Sequence, residues 1–198
     1  MILRVFIILC LINVGDTVLL PIKTTNRKVI TELTLTQIGA FGIMRKARPQ
    51  VQQHLHTGID IMRPNKNYNK EFIYPIADGV IISKRTDGPY AQLIVEHEVN
   101  NDTFWTVYEH IAGIQVELYE PVNPQQPIAR FFNLKELDKF GWQFDHFHFE
   151  VLKIRPISIK PSFDNPERHF NSYTLSCQTT SQLQKHYYNP SRFLSERL

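Results

Sequence analysis

Short apolar segments separated by turn-forming residues recur along the chain, and this pattern limits the fold more than any other feature. From about residue 30 onward, stretches of apolar and β-branched residues end at glycine, asparagine, aspartate or proline. The segments at residues 92–99 and 103–111 flank an Asn-Asn-Asp sequence that favours a hairpin turn. Further strands are expected at residues 35–43, 79–84 and 146–152. The pattern predicts a mainly β protein built on an antiparallel sheet.

One segment carries the signals of a short helix inserted among the strands. Asn133 is a suitable N-cap, and Glu136 three residues later completes a capping-box pair. Apolar residues follow at helical spacing within residues 134–140, and Gly141 provides a C-terminal stop. We therefore expect a short helix here. Residues 157–185 are polar without a clear period, so no structure is predicted for them.

The length and charge of the chain exclude some classes of protein. Its 198 residues suffice for one domain and leave no room for a second sizeable core. Hydrophobic residues make up 42% and charged residues 21%, as in folded globular proteins. A net charge of +3 is too small for a nucleic-acid-binding surface. We expect a single domain over residues 21–198 that includes a C-terminal extension, and no nucleic-acid partner.

The first twenty residues have the features of an export signal. Arg4 precedes an apolar run at residues 5–12, which suits the hydrophobic region of a signal peptide and is too short to cross a bilayer as a helix. A buried N-terminal strand is the alternative interpretation. We expect a signal peptide or a retained N-terminal anchor at residues 1–20 and no other membrane segment. The expected location is exported: the periplasm, the cell envelope or the medium.

Two short histidine motifs have the residue types and spacing of a metal site. The sequence His-Thr-Gly-Ile-Asp places His56 and Asp60 on one side of an extended segment, and Gly58 lets the backbone bend between them. His146 and His148 share one face of a predicted strand, roughly 7 Å apart. That spacing suits one ligand and one adjacent base. Two imidazoles, a carboxylate and a water form an open tetrahedral zinc site.

In their order along the chain, these motifs resemble those of the lysostaphin-type (LytM-like) zinc endopeptidases. The shared elements are His-x-Gly-x-Asp, Tyr-x-His, His-x-His-Phe-Glu-Val and a terminal Asn-Pro-x-x-aromatic-Leu. In this chain they lie at residues 56–60, 108–110, 146–151 and 189–194. The resemblance extends over roughly residues 38–194. It implies the antiparallel β-sheet domain of the lysostaphin-type peptidase fold.

The resemblance also implies a set of site residues and an activity. His56, Asp60 and His148 correspond to the ligands of one Zn²⁺ per chain. His146 corresponds to a general base and His110 to a group that stabilises the charged intermediate. The implied reaction is hydrolysis of peptide bonds in the stems or cross-bridges of bacterial peptidoglycan, so the expected partner is peptidoglycan or a peptide. Two alternatives remain: a non-catalytic wall-binding or regulatory module of the same fold, and an exported peptidase acting on proteins.

Other residues near the motifs admit more than one interpretation. His54 forms a second His-x-His with His56 and is expected to be a bystander. Glu150 alternates in phase with His148, and it either orients a ligand or is a partly exposed carboxylate without a metal role. The glycine-rich stretch of the family is replaced by proline-rich residues 121–128 and the predicted helix. This helix either forms a wall of the cleft or packs outward with its three apolar side chains in the core.

Overall fold

The computed structural model describes residues 17–86 and 88–198, which form short antiparallel strands and a few short helices. The predicted apolar leader at residues 5–12 lies outside the described residues. No helix in the described part of the chain is long and apolar enough to cross a bilayer. The strands are β1 (Met44–Arg45), β2 (His54–Leu55), β3 (Ile59–Met62), β4 (Phe72–Ile73), β5 (Gly79–Arg85), β6 (Gln92–Val99), β7 (Asp102–Glu109), β8 (Pro121–Val122), β9 (Ala129–Arg130), β10 (His146–Leu152), β11 (Ile157–Ser158), β12 (Phe170–Asn171) and β13 (Tyr187–Tyr188). The α-helices are α1 (Leu134–Phe140), α2 (Thr180–His186) and α3 (Pro190–Arg197), and single 3₁₀ turns cover Ile30–Glu32, Gly88–Tyr90, Trp142–Phe144 and Thr174–Ser176.

The largest sheet of the described residues has seven strands, and β10 lies where its pairings meet. One edge of β10 pairs with β7, which continues through β6 and β5 to β8; the other edge pairs with β3 and then β13. His148 on β10 lies opposite both Asp60 on β3 and Glu109 on β7. Directly opposed residues of antiparallel strands point to the same face. The register therefore brings the side chains of His148 and Asp60 together.

The two faces of this sheet have different surroundings. One face carries the main core, in which Phe147 and Phe149 of β10 pack with Tyr108 of β7, all fully buried. On the other face, Leu152 packs in a second cluster with Cys177 and other residues of the C-terminal region. His146, His148 and Glu150 share that second face because side chains alternate along a strand.

The structure confirms the mainly β fold and two of its predicted local features. The predicted hairpin is present as β6 and β7, and Asn100 and Asn101 at its turn have φ angles of 52° and 63°. Positive φ at both central residues is what a type I′ turn requires. Helix α1 is also confirmed: Asn133 accepts a hydrogen bond from the Glu136 amide, and the Glu136 side chain bonds the Asn133 amide in return.

The strand predicted at residues 35–43 is wrong. This segment is a loop in which Leu35 makes one isolated bridge and Gly42 has a φ of 81°. The loop passes very close to β3, because a Cβ on Gly39 would lie only 2.9 Å from the Cβ of Asp60. The two glycines therefore serve the turn and this close approach. Strand pairing along the whole segment would require both to be extended.

Candidate metal centre

Three side chains from two separate motifs converge on one point at the end of β10. His56 Nε2 lies 3.0 Å from Asp60 Oδ1, and His148 Nδ1 lies 3.0 Å from the same oxygen. The two imidazole nitrogens are 2.9 Å apart. All three residues are buried, and together they form the one cluster of the described residues that could hold a metal ion. The structure thus brings together the three residues that the family resemblance singles out.

The donor atoms of this cluster fit a zinc ion. Two imidazole nitrogens and one carboxylate oxygen are typical protein ligands of Zn²⁺ in sites that keep a fourth position open. Tetrahedral bonds of about 2.0 to 2.1 Å would place the ligand atoms about 3.3 Å apart. The separations of 2.9 to 3.0 Å between His56, Asp60 and His148 need only a small outward movement to reach that geometry.

The charges in the cluster also favour a cation. Burial alone would raise the pKa of Asp60, but hydrogen bonds from His148 and His56 hold it well below its usual range. Burial would lower the pKa of His148, but hydrogen bonds to Asp60 and Glu150 raise it to about 10, so a metal ion has to displace a proton from this ring. Asp60 is therefore a carboxylate at every working pH. It attracts positive charge to the point where the two imidazole nitrogens meet.

Each ligand-like histidine is oriented by a second hydrogen bond on its other nitrogen. His56 Nδ1 donates to the Ala40 carbonyl at 2.9 Å, which leaves Nε2 for the shared point. His148 Nε2 donates to Glu150 Oε1 at 3.0 Å, which leaves Nδ1. Glu150 is only 1% exposed, so the interpretation of a partly exposed carboxylate is wrong. His54 bonds the Gln52 carbonyl instead and stays outside the cluster.

Gly58 lies at a bend of the chain between His56 and Asp60, and it also permits close packing in the first motif. Its backbone is outside the left-handed region, and a Cβ there would lie 2.3 Å from the Phe149 carbonyl oxygen and 2.8 Å from His148 Cε1. The expected bend at Gly58 is thus present, and it needs no left-handed backbone. The glycine lets the strand carrying Asp60 approach the ring of His148 directly.

We expect Gly58→Ala to destabilise the fold and to displace His148. Overpacking of this kind costs about 1 to 3 kcal/mol, because the added carbon meets β10 backbone that cannot move aside freely. Urea unfolding of the metal-free protein measures the loss. Gly88→Ala is the control: nothing lies within 4 Å of its added carbon, and only its φ of 57° is penalised. A Gly58→Ala protein as stable as wild type would contradict the close packing.

Two further histidines lie beside the cluster. His146 Nε2 is 3.6 Å from Asp60 Oδ1, and the ring centres of His146 and His110 are 5.4 Å apart. His110 Nδ1 donates to the Pro89 carbonyl at 2.6 Å. Burial lowers the pKa of both His110 and His146 to about 4. Both rings are therefore uncharged at neutral pH.

The backbone at His110 is strained. Its φ of 61° lies in the left-handed region, which costs a residue with a side chain roughly 1 to 2 kcal/mol. Such strain persists where the surroundings hold it, and it is concentrated at functional sites. Here Phe144 and Tyr90 pack against the His110 ring, with ring centres 4.8 and 5.7 Å away. These contacts keep the imidazole turned toward the cluster.

Sequence reasoning missed three residues that hydrogen-bond to Asp60 or to Glu150, the partner of His148. Arg45 Nη2 donates to Asp60 Oδ2 at 2.6 Å, and the hydroxyls of Thr57 and Thr174 donate to Glu150 Oε1 at 2.5 and 2.7 Å. Thr57 lies inside the first motif, next to His56, so its sequence position places it near the site. The other two lie in segments without a motif, so only the folded chain reveals them.

Several solved structures are similar to this one. Lysostaphin matches at 16% identity over 85% of this chain and 52% of its own chain, with a TM-score of 0.50. A zinc-containing peptidase from Vibrio cholerae matches at 24% identity over 68% of this chain and 36% of its own chain, with a TM-score of 0.47. The SpoIIQ–SpoIIIAH pore-forming complex matches at 19% identity over 85% and 96%, with 0.47. The chain thus spans about half of the lysostaphin chain and about a third of the Vibrio cholerae chain. No curated protein matches the sequence.

A family comparison of the sequence agrees with this fold. Residues 54–161 match peptidase family M23, which is more than half of the chain. The matched segment begins just before the first histidine motif and ends beyond β10, so it contains all five histidine and aspartate residues of the centre. The likeness to lysostaphin independently supports the lysostaphin-type fold. The chain belongs to peptidase family M23.

Proposed function

We propose that this chain is an exported, zinc-dependent endopeptidase that hydrolyses peptide bonds in the stems or cross-bridges of bacterial peptidoglycan. One observation carries the proposal: His56, Asp60 and His148 converge on one point, with two uncharged histidines beside it. Membership of a peptidase family supports the reaction class. The motif resemblance supports the substrate class, and the export-signal features of residues 4–12 support the location.

We assign the ligands of one Zn²⁺ per chain as His56 Nε2, Asp60 Oδ1 and His148 Nδ1. Zinc held there supplies a Lewis acid for the scissile carbonyl and lowers the pKa of a water to about 7. The chain's own contribution is orientation. Glu150 holds the His148 ring, and the Ala40 carbonyl holds the His56 ring, so that each presents one nitrogen to the shared point.

His146 is assigned as the general base. Its ring is uncharged at neutral pH because burial lowers its pKa to about 4, so a ring nitrogen can accept a proton from the attacking water. Its Nε2 lies 3.6 Å from Asp60 Oδ1, close enough to act on a water at the centre. The protonated ring would then face the Asp60 carboxylate, whose charge stabilises it.

His110 is assigned to stabilise the charged intermediate. Because its Nδ1 hydrogen is committed to the Pro89 carbonyl, the neutral ring presents Nε2 without a hydrogen. A proton that His146 takes from the attacking water and passes to Nε2 would let the His110 ring donate a hydrogen bond to the developing oxyanion or to the leaving amine. The packing of Phe144 against the ring keeps it in place for that role.

The proposal is tested by incubating the zinc-loaded protein with purified peptidoglycan and identifying the released fragments by mass. New amino and carboxyl ends within stems or cross-bridges are expected, and Asp60→Asn should release none. Cleavage of protein substrates with intact peptidoglycan would instead favour an exported protein-directed peptidase. Wall binding without any cleavage by a zinc-loaded protein would favour a non-catalytic module.

Helix α1 is proposed to form one wall of the cleft. Of its three apolar side chains only Leu137 is fully buried, while Leu134 is 47% exposed, so the helix does not pack outward with all three in the core. Leu137 packs in a small cluster that also contains Phe144, and Phe144 contacts the His110 ring. The helix is thus connected to the site through one aromatic side chain.

Replacing residues 134–140 with a Gly/Ser linker is expected to broaden or shift cleavage specificity while zinc and fold are retained. Removing the wall widens access to the centre without touching a ligand. Fragment patterns from peptidoglycan measure the change. The control is Leu137→Ala, which weakens the packing but keeps the helix. If the linker variant only lost stability and kept the wild-type cleavage pattern, the wall would be disproved.

A further inference from the structure

The two carboxylate oxygens of Asp60 have different partners. Oδ1 lies 3.0 Å from both His56 Nε2 and His148 Nδ1 and faces the proposed metal position. Oδ2 accepts a hydrogen bond from Arg45 Nη2 at 2.6 Å. A charge-assisted bond between guanidinium and carboxylate is among the strongest in proteins. The carboxylate is therefore held with one oxygen toward the ring nitrogens and the other away from them.

Arg45 also connects Asp60 to the loop that lies over it. Its Nη1 donates to the Ile38 carbonyl at 3.0 Å. The same loop bonds the Asp60 backbone twice, through Gly39 O to the Asp60 amide at 2.9 Å and through the Thr36 amide to Asp60 O at 3.0 Å. Main chain and side chain of Asp60 are thus fixed to one loop. Arg45 itself is held on β1, where it pairs with His54 of β2.

We propose that Arg45 is a positioning residue that reserves a single oxygen of Asp60 for the metal. This inference rests on the metal site of the proposed function. A carboxylate free to turn can bind a metal through both oxygens and occupy a further coordination position. The hydrogen bond from Arg45 to Oδ2 keeps Asp60 monodentate, so the further coordination position stays open for the reacting groups. Partners of this kind around ligands typically change metal affinity about 10- to 100-fold.

The direction in which zinc affinity changes when Arg45 is removed distinguishes a positioning role from simple charge repulsion. A guanidinium beside Asp60 repels a dication, so charge alone predicts that removing Arg45 would tighten zinc binding. Orientation predicts the opposite, because an Asp60 without its partner must be ordered by the metal itself. The side chain of Arg45 is 20% exposed, so its replacement by methionine leaves no large cavity.

The experiment compares wild type, Arg45→Met, Arg45→Lys and Arg130→Met as whole chains. Arg130 is the matched control: it forms an ion pair with Glu136 at 2.6 Å, and its side chain is 22% exposed. Zinc affinity is measured by competition with a chelator. Coordination is measured from the visible absorption of the Co²⁺-loaded proteins, in which four-coordinate sites absorb more strongly than five-coordinate ones. Thermal unfolding of the metal-free proteins reports the fold.

Arg45→Met is expected to bind zinc about 10- to 100-fold more weakly and to lose cobalt absorption intensity. Arg45→Lys should recover part of both because it keeps a donor for Oδ2, and Arg130→Met should match wild type. Unchanged or tighter zinc binding with a wild-type cobalt spectrum in Arg45→Met would overturn the inference and leave the proposed function standing. A wild-type protein that takes up neither metal would overturn both.

Discussion

A His148→Ala variant is expected to bind no zinc after dialysis and to lose peptide hydrolysis entirely. His148 Nδ1 lies 3.0 Å from Asp60 Oδ1 and 2.9 Å from His56 Nε2, so its removal leaves two of three proposed ligands. The activity loss should exceed the roughly 10²- to 10⁴-fold that a general base contributes, because the metal leaves with the ligand. Metal analysis and activity are measured on the same samples.

His54→Ala is the control for that experiment. His54 is buried like His148 and stands in its own His-x-His pair with His56, but it bonds the Gln52 carbonyl outside the cluster. It should keep a full zinc ion. Circular dichroism checks the fold of His148→Ala, in which Glu150 still has its bonds from Thr57 and Thr174. Full zinc occupancy in His148→Ala would mean that another histidine is the ligand.

His146→Ala and His110→Ala are expected to keep zinc yet lose about 10²- to 10⁴-fold in turnover. Neither ring occupies a proposed ligand position. Both have a pKa lowered to about 4 by burial, so both rings are uncharged at neutral pH. Turnover of a defined cross-bridge peptide and zinc content are measured together. Loss of activity with retained metal identifies a step in proton transfer or charge stabilisation.

Two further variants serve as controls for this experiment. His110→Asn tests the ring with less backbone penalty, because asparagine adopts the left-handed conformation at φ 61° more readily than alanine. His169→Ala, a histidine stacked on Tyr119, should behave as wild type. Near-normal turnover in both the His146 and the His110 variants would show that proton transfer by these histidines is not needed.

Local sequence signals predicted the elements whose stability is local. The paired asparagines define the β6–β7 turn, and the Asn133 capping box defines the start of α1. Strand β10 was predicted with its observed bounds, His146–Leu152, because its alternation reflects one apolar face against the core. The same kind of signal is present at Thr179 and Gln182, whose capping box begins α2 within a segment that has no clear hydrophobic period.

Contacts between distant segments set the limit of sequence reasoning. The apolar residues of segment 35–43 predict a strand, yet in the fold the segment is a loop that bonds β3 through the close approach at Gly39. Arg45 and Thr174 carry no motif. Their relation to Asp60 and Glu150 exists only because β1 and the C-terminal region fold against the same strands.

The sequence by itself determined which residue types are available for the centre, and the resemblance of its motifs to those of the family singled out His56, Asp60 and His148 without coordinates. It also determined the strand alternation that places His146 and His148 on one face. Only the tertiary structure decided which nitrogen of each ring and which oxygen of Asp60 faces the shared point. The physical reason is that a side chain's orientation depends on its hydrogen-bond partners and on burial. The orienting partners of His56, Asp60 and His148 lie 2 to 16 residues away along the chain, whereas the two histidines that they orient toward each other are 92 residues apart.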